Sequence, residues 1–147
     1  MKLKYLFFLL FSILLYCCSK EDNNPVISEP KVLISSEYKK YYTIEELEEL
    51  SKLLGLDITA NNAIEAYKLI YNSKDASGNK IKLSGLVLIP ENLSNIPPVV
   101  SFQHASYSKK SDGAASNLGF AGIEALYPAS YGYIVFAADY IGFGESS

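Results

Sequence analysis

Two short apolar runs, separated by a segment of helical composition, constrain the fold of this chain more than any other feature. Residues 99–103 and 133–138 are continuous apolar runs, a pattern typical of strands buried on both faces of a parallel sheet. Parallel neighbours need a crossover connection, and the small-residue-rich, partly helical residues 113–131 lie between the two runs. The pattern therefore predicts an α/β fold.

A second pair of runs precedes this unit. In residues 66–72, Tyr67, Leu69 and Tyr71 alternate against Lys68, and residues 81–89 are apolar and rich in β-branched side chains. Gly78 and Asn79 lie between them, and both residue types tolerate positive φ. The sequence predicts a β-hairpin that leads into a mostly parallel sheet.

A short amphipathic helix is predicted over residues 43–54. Its apolar residues recur at helical spacing, and Thr43 and Glu46 match a capping box. The run of glutamates in its first turns favours the positive end of the helix dipole. We interpret that run as a solvated helix face and predict no metal site there.

The first seventeen residues differ in character from the rest of the chain. Lys2 and Lys4 precede an uncharged apolar run over residues 5–16. That run is about a dozen residues long, short of the roughly 20 needed to span a bilayer. Residues 1–17 are therefore predicted to be a cleaved export signal.

Both cysteines of the chain, Cys17 and Cys18, follow this run directly, so no disulfide framework is predicted. The segment resembles the lipobox of bacterial lipoproteins. The resemblance implies an exported protein that is lipid-anchored at the outer membrane, where it can be exposed on the cell surface. Cleavage before Cys18 leaves Cys17 rather than the bulkier Tyr16 at the last signal position. We predict lipidation of Cys18, with Cys17 as the alternative. An uncleaved anchor and a plain secretory signal are the other interpretations.

Composition limits the partners of the chain. It contains 13 lysines and no arginine, one histidine, and a formal charge of −3, which argues against nucleic-acid binding. No metal or cofactor is predicted. Residues 18–42, whose first part is polar and acidic, are predicted to be a flexible tether. Residues 43–147 then form the globular part.

The most distinctive residues lie where the two apolar runs end. In an open parallel sheet, ligands bind beyond the carboxyl ends of the strands. One run leads into residues 103–106 and the other into residues 139–146. Gly142 and Gly144 do not form a dinucleotide-binding fingerprint, which needs three glycines opening a helix.

Residues 64–147 resemble the N-terminal half of the α/β-hydrolase superfamily. The resemblance is carried by the hairpin, by residues 97–104, in which Pro-Pro and an apolar run lead to His104, and by residues 131–146, which contain Asp-Tyr-x-Gly-x-Gly. Within the superfamily the phrases are most similar to those of secretory-lipase-like esterases. The implied fold is the N-terminal half of an α/β-hydrolase, incomplete in these residues.

The resemblance implies that the loop after residue 103 supplies an oxyanion hole from backbone N–H groups. The positions that match this oxyanion-hole loop are His104, Ala105 and Ser106, of which Ser106 is the favoured donor and Ala105 the second. His104 is expected to shape the loop and not to act as the general base. Ala105 stands where the family usually has Gly, which predicts a distorted loop. Asp139, Gly142 and Gly144 are assigned to the strand-end turn.

The catalytic triad of this family is not found in these residues. There is no Gly-x-Ser-x-Gly and no histidine after His104. We therefore expect an N-terminal fragment of an exported serine carboxylic-ester hydrolase, an esterase or lipase, inactive as written. Its substrate, once the missing half completes it, is expected to be a small-molecule ester or lipid.

Two alternatives remain open. One is a peptidase of the prolyl-oligopeptidase type, which shares the fold. The other comes from a different class: a small non-enzymatic surface lipoprotein whose twelve tyrosines bind a glycan or a protein partner.

Overall fold

The computed structural model describes residues 31–93, 96–105, 115–118 and 120–146. The predicted export signal, both cysteines and Ser106 lie outside the described residues. Within this described part of the chain, no helix is both long and apolar enough to cross a membrane.

The described residues form a mixed sheet flanked by helices. The strands are β1 Leu33–Tyr42, β2 Ile64–Lys74, β3 Lys80–Pro90, β4 Val99–Phe102 and β5 Ile134–Ala138; the helices are α1 Ile44–Leu53, α2 Phe120–Ser130 and the single 3₁₀ turn Ala115–Asn117. The strand order is β1-β2-β3-β5-β4. Only β4 and β5 pair in parallel among the described strands. The predicted α/β class, with a hairpin leading into a parallel pair, is confirmed.

The hairpin turn between β2 and β3 is held by one carboxylate. Asp75 Oδ1 accepts hydrogen bonds from the backbone N–H groups of Ser77 and Asn79, at 2.9 and 2.8 Å. Gly78 has φ +84°, a conformation that side chains resist. These turn residues fix the antiparallel register from Ile64↔Pro90 to Lys74↔Lys80.

Helix α1 begins with the predicted capping box. The N–H of Glu46 donates to Thr43 Oγ1 and the N–H of Thr43 donates to Glu46 Oε2, both at 3.2 Å. Each bond satisfies a donor that the helix ladder leaves unpaired at its start. Leu47 on the inner side of the helix is buried in the core.

The core lies on one face of the sheet. Side chains of Ile64, Leu88 and Val135 on that face are fully buried. Helix α2 is part of the crossover from β4 to β5 and packs Ala125 and Leu126 into the same core. The helix thus belongs to the crossover connection that the two apolar runs predict.

The opposite face of the sheet is apolar but only half-buried. Because strand residues alternate between faces, its side chains can be identified from the strand register. They include Tyr67, Leu69, Val87, Ile134 and Phe136. None of these five is fully buried, although Phe136 packs edge-on against Tyr71.

One boundary prediction is wrong. Residues 18–42 were predicted to be a flexible tether, but Leu33–Tyr42 form strand β1, which pairs antiparallel with β2. The strand is exposed along its length except at Tyr42, and its register shifts twice. Backbone hydrogen bonding at a sheet edge holds it rather than burial, so the sequence shows no clean apolar alternation there.

Candidate active site at the carboxyl edge of the sheet

The parallel pairing of β4 and β5 brings the two distinctive segments to one edge. Register pairs Phe102 with Ala137, so the residues that follow each strand leave the sheet side by side. His104 on the first segment is 4% exposed and Asp139 on the second is 1% exposed. Both polar side chains are thus buried at the edge where this class of fold binds ligands.

His104 and Tyr140 join the two segments directly. The Tyr140 hydroxyl donates to the backbone carbonyl of His104 at 2.7 Å. The two rings stack with centroids 4.0 Å apart and planes 22° apart, and Phe143 meets the imidazole edge-on. The loop after β4 is therefore attached to the turn after β5 by both backbone and side chain.

The imidazole of His104 also holds its own loop. Its Nδ1 lies 2.8 Å from the carbonyl oxygen of Ala105. A carbonyl oxygen only accepts, so Nδ1 carries the proton in this contact. The contact fits a histidine that shapes the loop.

A buried hydrogen-bond network surrounds Asp139. Ser84 Oγ donates to Oδ2 at 2.5 Å, and the N–H of Ser116 donates to Oδ1 at 3.3 Å. The same Ser84 oxygen accepts from the N–H of Glu145 at 3.0 Å. Strand β3, the 3₁₀ turn and the turn after β5 are thus linked through one carboxylate, which satisfies acceptors that burial would otherwise leave unpaired.

The turn after β5 depends on its two glycines in different ways. Gly142 and Gly144 have φ +95° and +56°. A Cβ on Gly142 would meet nothing, whereas a Cβ on Gly144 would collide with Ser84 Oγ and Asp139 Oδ2. Gly144 is therefore required by close backbone approach as well as by φ.

Further contacts hold this turn. Ser146 Oγ accepts from the N–H of Gly142 at 2.5 Å and donates to the carbonyl of Phe143 at 2.9 Å. The Glu145 carboxylate forms an ion pair with Lys68 on β2 at 2.6 Å. The turn is therefore held both by hydrogen bonds within it and by an ion pair to β2.

Ala105 has a backbone conformation that a Cβ allows. Among described residues other than glycine, only Asn92 and Leu118 have positive φ. Ala105 therefore lies outside the positive-φ region that Gly favours, and the distortion of the loop stays a prediction. Its side chain is exposed at the edge.

Burial and electrostatics near the site affect the pKa of one tyrosine. Burial, and next the negative charge of Asp139, raise the pKa of Tyr71. Tyr71 packs against Phe136 on the half-buried face. No group of three or more metal-ligating side chains occurs within the described ranges.

Several residues that contribute contacts to the candidate site were not predicted from the sequence. Ser84 lies in an apolar strand run, and a lone hydroxyl there is the signal that could have marked it. The backbone of Ser116 reaches Asp139 through the fold, and its own hydroxyl is buried with no hydrogen-bond partner in the described structure. Tyr140 was part of the motif, but its contact with His104 was not expected.

Comparison with solved structures gives the fold a context. A protein of Legionella pneumophila described as a hydrolase matches with a TM-score of 0.69 and 26% identity, covering 78% of this chain and 32% of that protein. The chain has a hydrolase-like fold.

Structures of the rice cell wall degrading esterase LipA from Xanthomonas oryzae match with the same fold. A variant matches with a TM-score of 0.65 and 24% identity, and a ligand-bound form with 0.62 and 22%; each covers 78% of this chain and 30% of LipA. The sequence matches no family model and no curated protein. The matched part of this chain spans about a third of the length of these hydrolases.

Proposed function

We propose that these residues are the N-terminal part of an exported serine carboxylic-ester hydrolase, an esterase or lipase. The observation that carries the proposal is the match to the Legionella hydrolase, at 26% identity over 78% of the chain. The LipA structures support the fold of this proposal. The substrate class is a small-molecule ester or a lipid.

In this proposal the loop after β4 supplies the oxyanion hole. A serine hydroxyl passes its proton to the catalytic histidine as its oxygen attacks the ester carbonyl carbon, and the carbonyl oxygen becomes negative as the tetrahedral intermediate forms. Backbone N–H groups of Ala105 and Ser106 donate to that oxygen, with a further N–H from the residue after the nucleophile. The buried, hydrogen-bonded His104 supports this assignment because its ring is engaged with the loop.

The remaining chemistry requires residues outside this sequence. The intermediate collapses when the alcohol leaves with a proton from the catalytic histidine, and water then releases the acid from the acyl-serine. Nucleophile, acid and base are assigned to the portion of the protein that corresponds to the unmatched two thirds of the Legionella hydrolase. No cofactor takes part.

Export and membrane attachment form the second part of the proposal. Lys2, Lys4 and the apolar run support an export signal, and Cys18 is the proposed lipidation site, with Cys17 the alternative. Loss of residues 1–17 changes the formal charge from −3 to −5. Multiple acyl chains hold a protein at the membrane far better than one.

The activity is tested on the gene product at its native length, captured from the membrane fraction. We expect hydrolysis of a nitrophenyl butyrate ester and loss of that hydrolysis after treatment with a serine-reactive fluorophosphonate. An aminoacyl-proline nitroanilide separates the esterase from the peptidase alternative. Captured protein that cleaves neither ester nor anilide contradicts the proposal.

A further inference from the structure

Two successive carbonyl groups of the loop after β4 are held by side chains. The carbonyl of His104 accepts from the Tyr140 hydroxyl at 2.7 Å, and the carbonyl of Ala105 accepts from the His104 ring at 2.8 Å. A trans peptide is planar, so holding its carbonyl also fixes the direction of the N–H in the same plane. The carbonyl of His104 shares its peptide plane with the N–H of Ala105.

The Tyr140 hydroxyl is itself anchored to rigid structure. Tyr140 follows Asp139, whose carboxylate is bound by Ser84 of β3. The backbone carbonyl of Tyr140 accepts from the N–H of Phe143 at 2.8 Å, and the Tyr140 ring stacks on His104. The hydroxyl therefore reaches the loop from the turn after β5, which is held by the Ser84–Asp139 bond and by the bond between Phe143 and the Tyr140 carbonyl.

We infer that Tyr140 is a positioning residue for the oxyanion hole: its hydroxyl aims the N–H of Ala105 by holding the carbonyl of His104. This inference rests on the proposed ester hydrolysis. Tyr140 acts through the loop backbone. Donors that are aimed before reaction stabilise the developing oxyanion without reorganisation, which is why their direction matters for rate.

The expected effect is confined to the transition state. The oxyanion forms only as the nucleophile attacks, so a misdirected donor lowers kcat and leaves substrate binding nearly unchanged. Removing an oxyanion donor outright costs about 10²–10³ in kcat. A variant that keeps the N–H but no longer fixes its direction is expected to have a kcat about tenfold lower.

The test compares Tyr140→Phe with Tyr133→Phe in the native-length hydrolase. Phe keeps the ring that stacks on His104 and removes only the hydroxyl. Tyr133 is an exposed tyrosine next to the first residue of β5, outside the site. We expect kcat about tenfold lower with unchanged KM for Tyr140→Phe, and both constants unchanged for Tyr133→Phe.

A second readout follows the N–H direction itself. The residual dipolar coupling of the Ala105 N–H is expected to change in Tyr140→Phe and not in Tyr133→Phe. Unchanged kcat in an ester-hydrolysing protein, or an unchanged coupling, overturns the positioning role alone. Absence of ester hydrolysis in the unsubstituted protein overturns the proposed function instead, and the inference with it.

Discussion

Ser84 donates its hydroxyl hydrogen to Oδ2 of Asp139 at 2.5 Å across 55 positions of sequence. The bond is buried and joins β3 to the residue that directly follows β5. Because Ser84 Oγ also accepts from Glu145, one oxygen organises both the carboxylate and the turn. The geometry of the candidate active site therefore depends on a residue outside both of its loops.

Replacing Ser84 with Ala is expected to destabilise the protein by about 1–3 kcal/mol. The substitution removes the hydrogen bond to a buried carboxylate oxygen of Asp139 and the bond that Ser84 Oγ accepts from the N–H of Glu145, and a buried polar group that loses its partner carries that cost. Urea denaturation measures the free energy of unfolding. Ser36→Ala on the exposed β1 strand is the control and should stay within about 0.5 kcal/mol of the parent. Equal stabilities for the two variants contradict the assigned role.

The two glycines of the turn should respond differently to alanine. Both have positive φ, which costs about 1–2 kcal/mol for an L-residue. Gly144→Ala adds a collision with Ser84 and Asp139, whereas Gly142→Ala adds none. Thermal unfolding should therefore show a clearly larger fall in Tm for Gly144→Ala. A larger fall for Gly142→Ala would be inconsistent with the close approach at Gly144.

The local patterns of the sequence predicted those parts of the fold that rest on neighbouring residues. The α1 capping box joins two residues three positions apart, and the hydrogen bonds of the hairpin turn lie within residues 75–79. Strand β1 was missed because its hydrogen bonds, not burial, hold it at the edge.

Local sequence patterns could not predict the long-range contacts at the site. The Tyr140 hydroxyl meets the His104 carbonyl across 36 positions, and Ser84 meets Asp139 across 55. Only the packed sheet determines which polar groups face each other there. The motif residues were predicted to share an edge because parallel strands end together, but their bonding partners required the fold.

Acid should weaken the β2–β3 turn through Asp75. The hydrogen bonds from the Asn79 side chain and backbone lower the pKa of this carboxyl in the folded state. A lowered folded pKa means that the stabilisation is present above the unfolded value of about 3.9 and is lost as pH falls through the folded value. In Asp75→Asn this pH-dependent part is absent. The stability difference between parent and variant should shrink as pH falls from 6 to 2; a constant difference contradicts the argument.

Lipid attachment should follow the second of the two cysteines. Cys18→Ser is expected to abolish incorporation of an alkyne-labelled fatty acid and to release the protein from the membrane fraction. Cys17→Ser is the matched control and should keep both. If Cys17→Ser alone loses the label, Cys17 is the lipidated residue. Labelling retained in both single variants contradicts lipidation at one defined cysteine.

The central claim is that these residues belong to a larger serine ester hydrolase. The most direct measurement is an immunoblot of the native protein with an antibody against residues 72–82, after labelling with a fluorescent fluorophosphonate. One band that carries both signals is expected at about 2.4 times the mass of the 147 residues, because 78% of this chain covers 32% of the matched Legionella hydrolase. An antibody-reactive band at the mass of the 147 residues, without the fluorophosphonate signal, would contradict it.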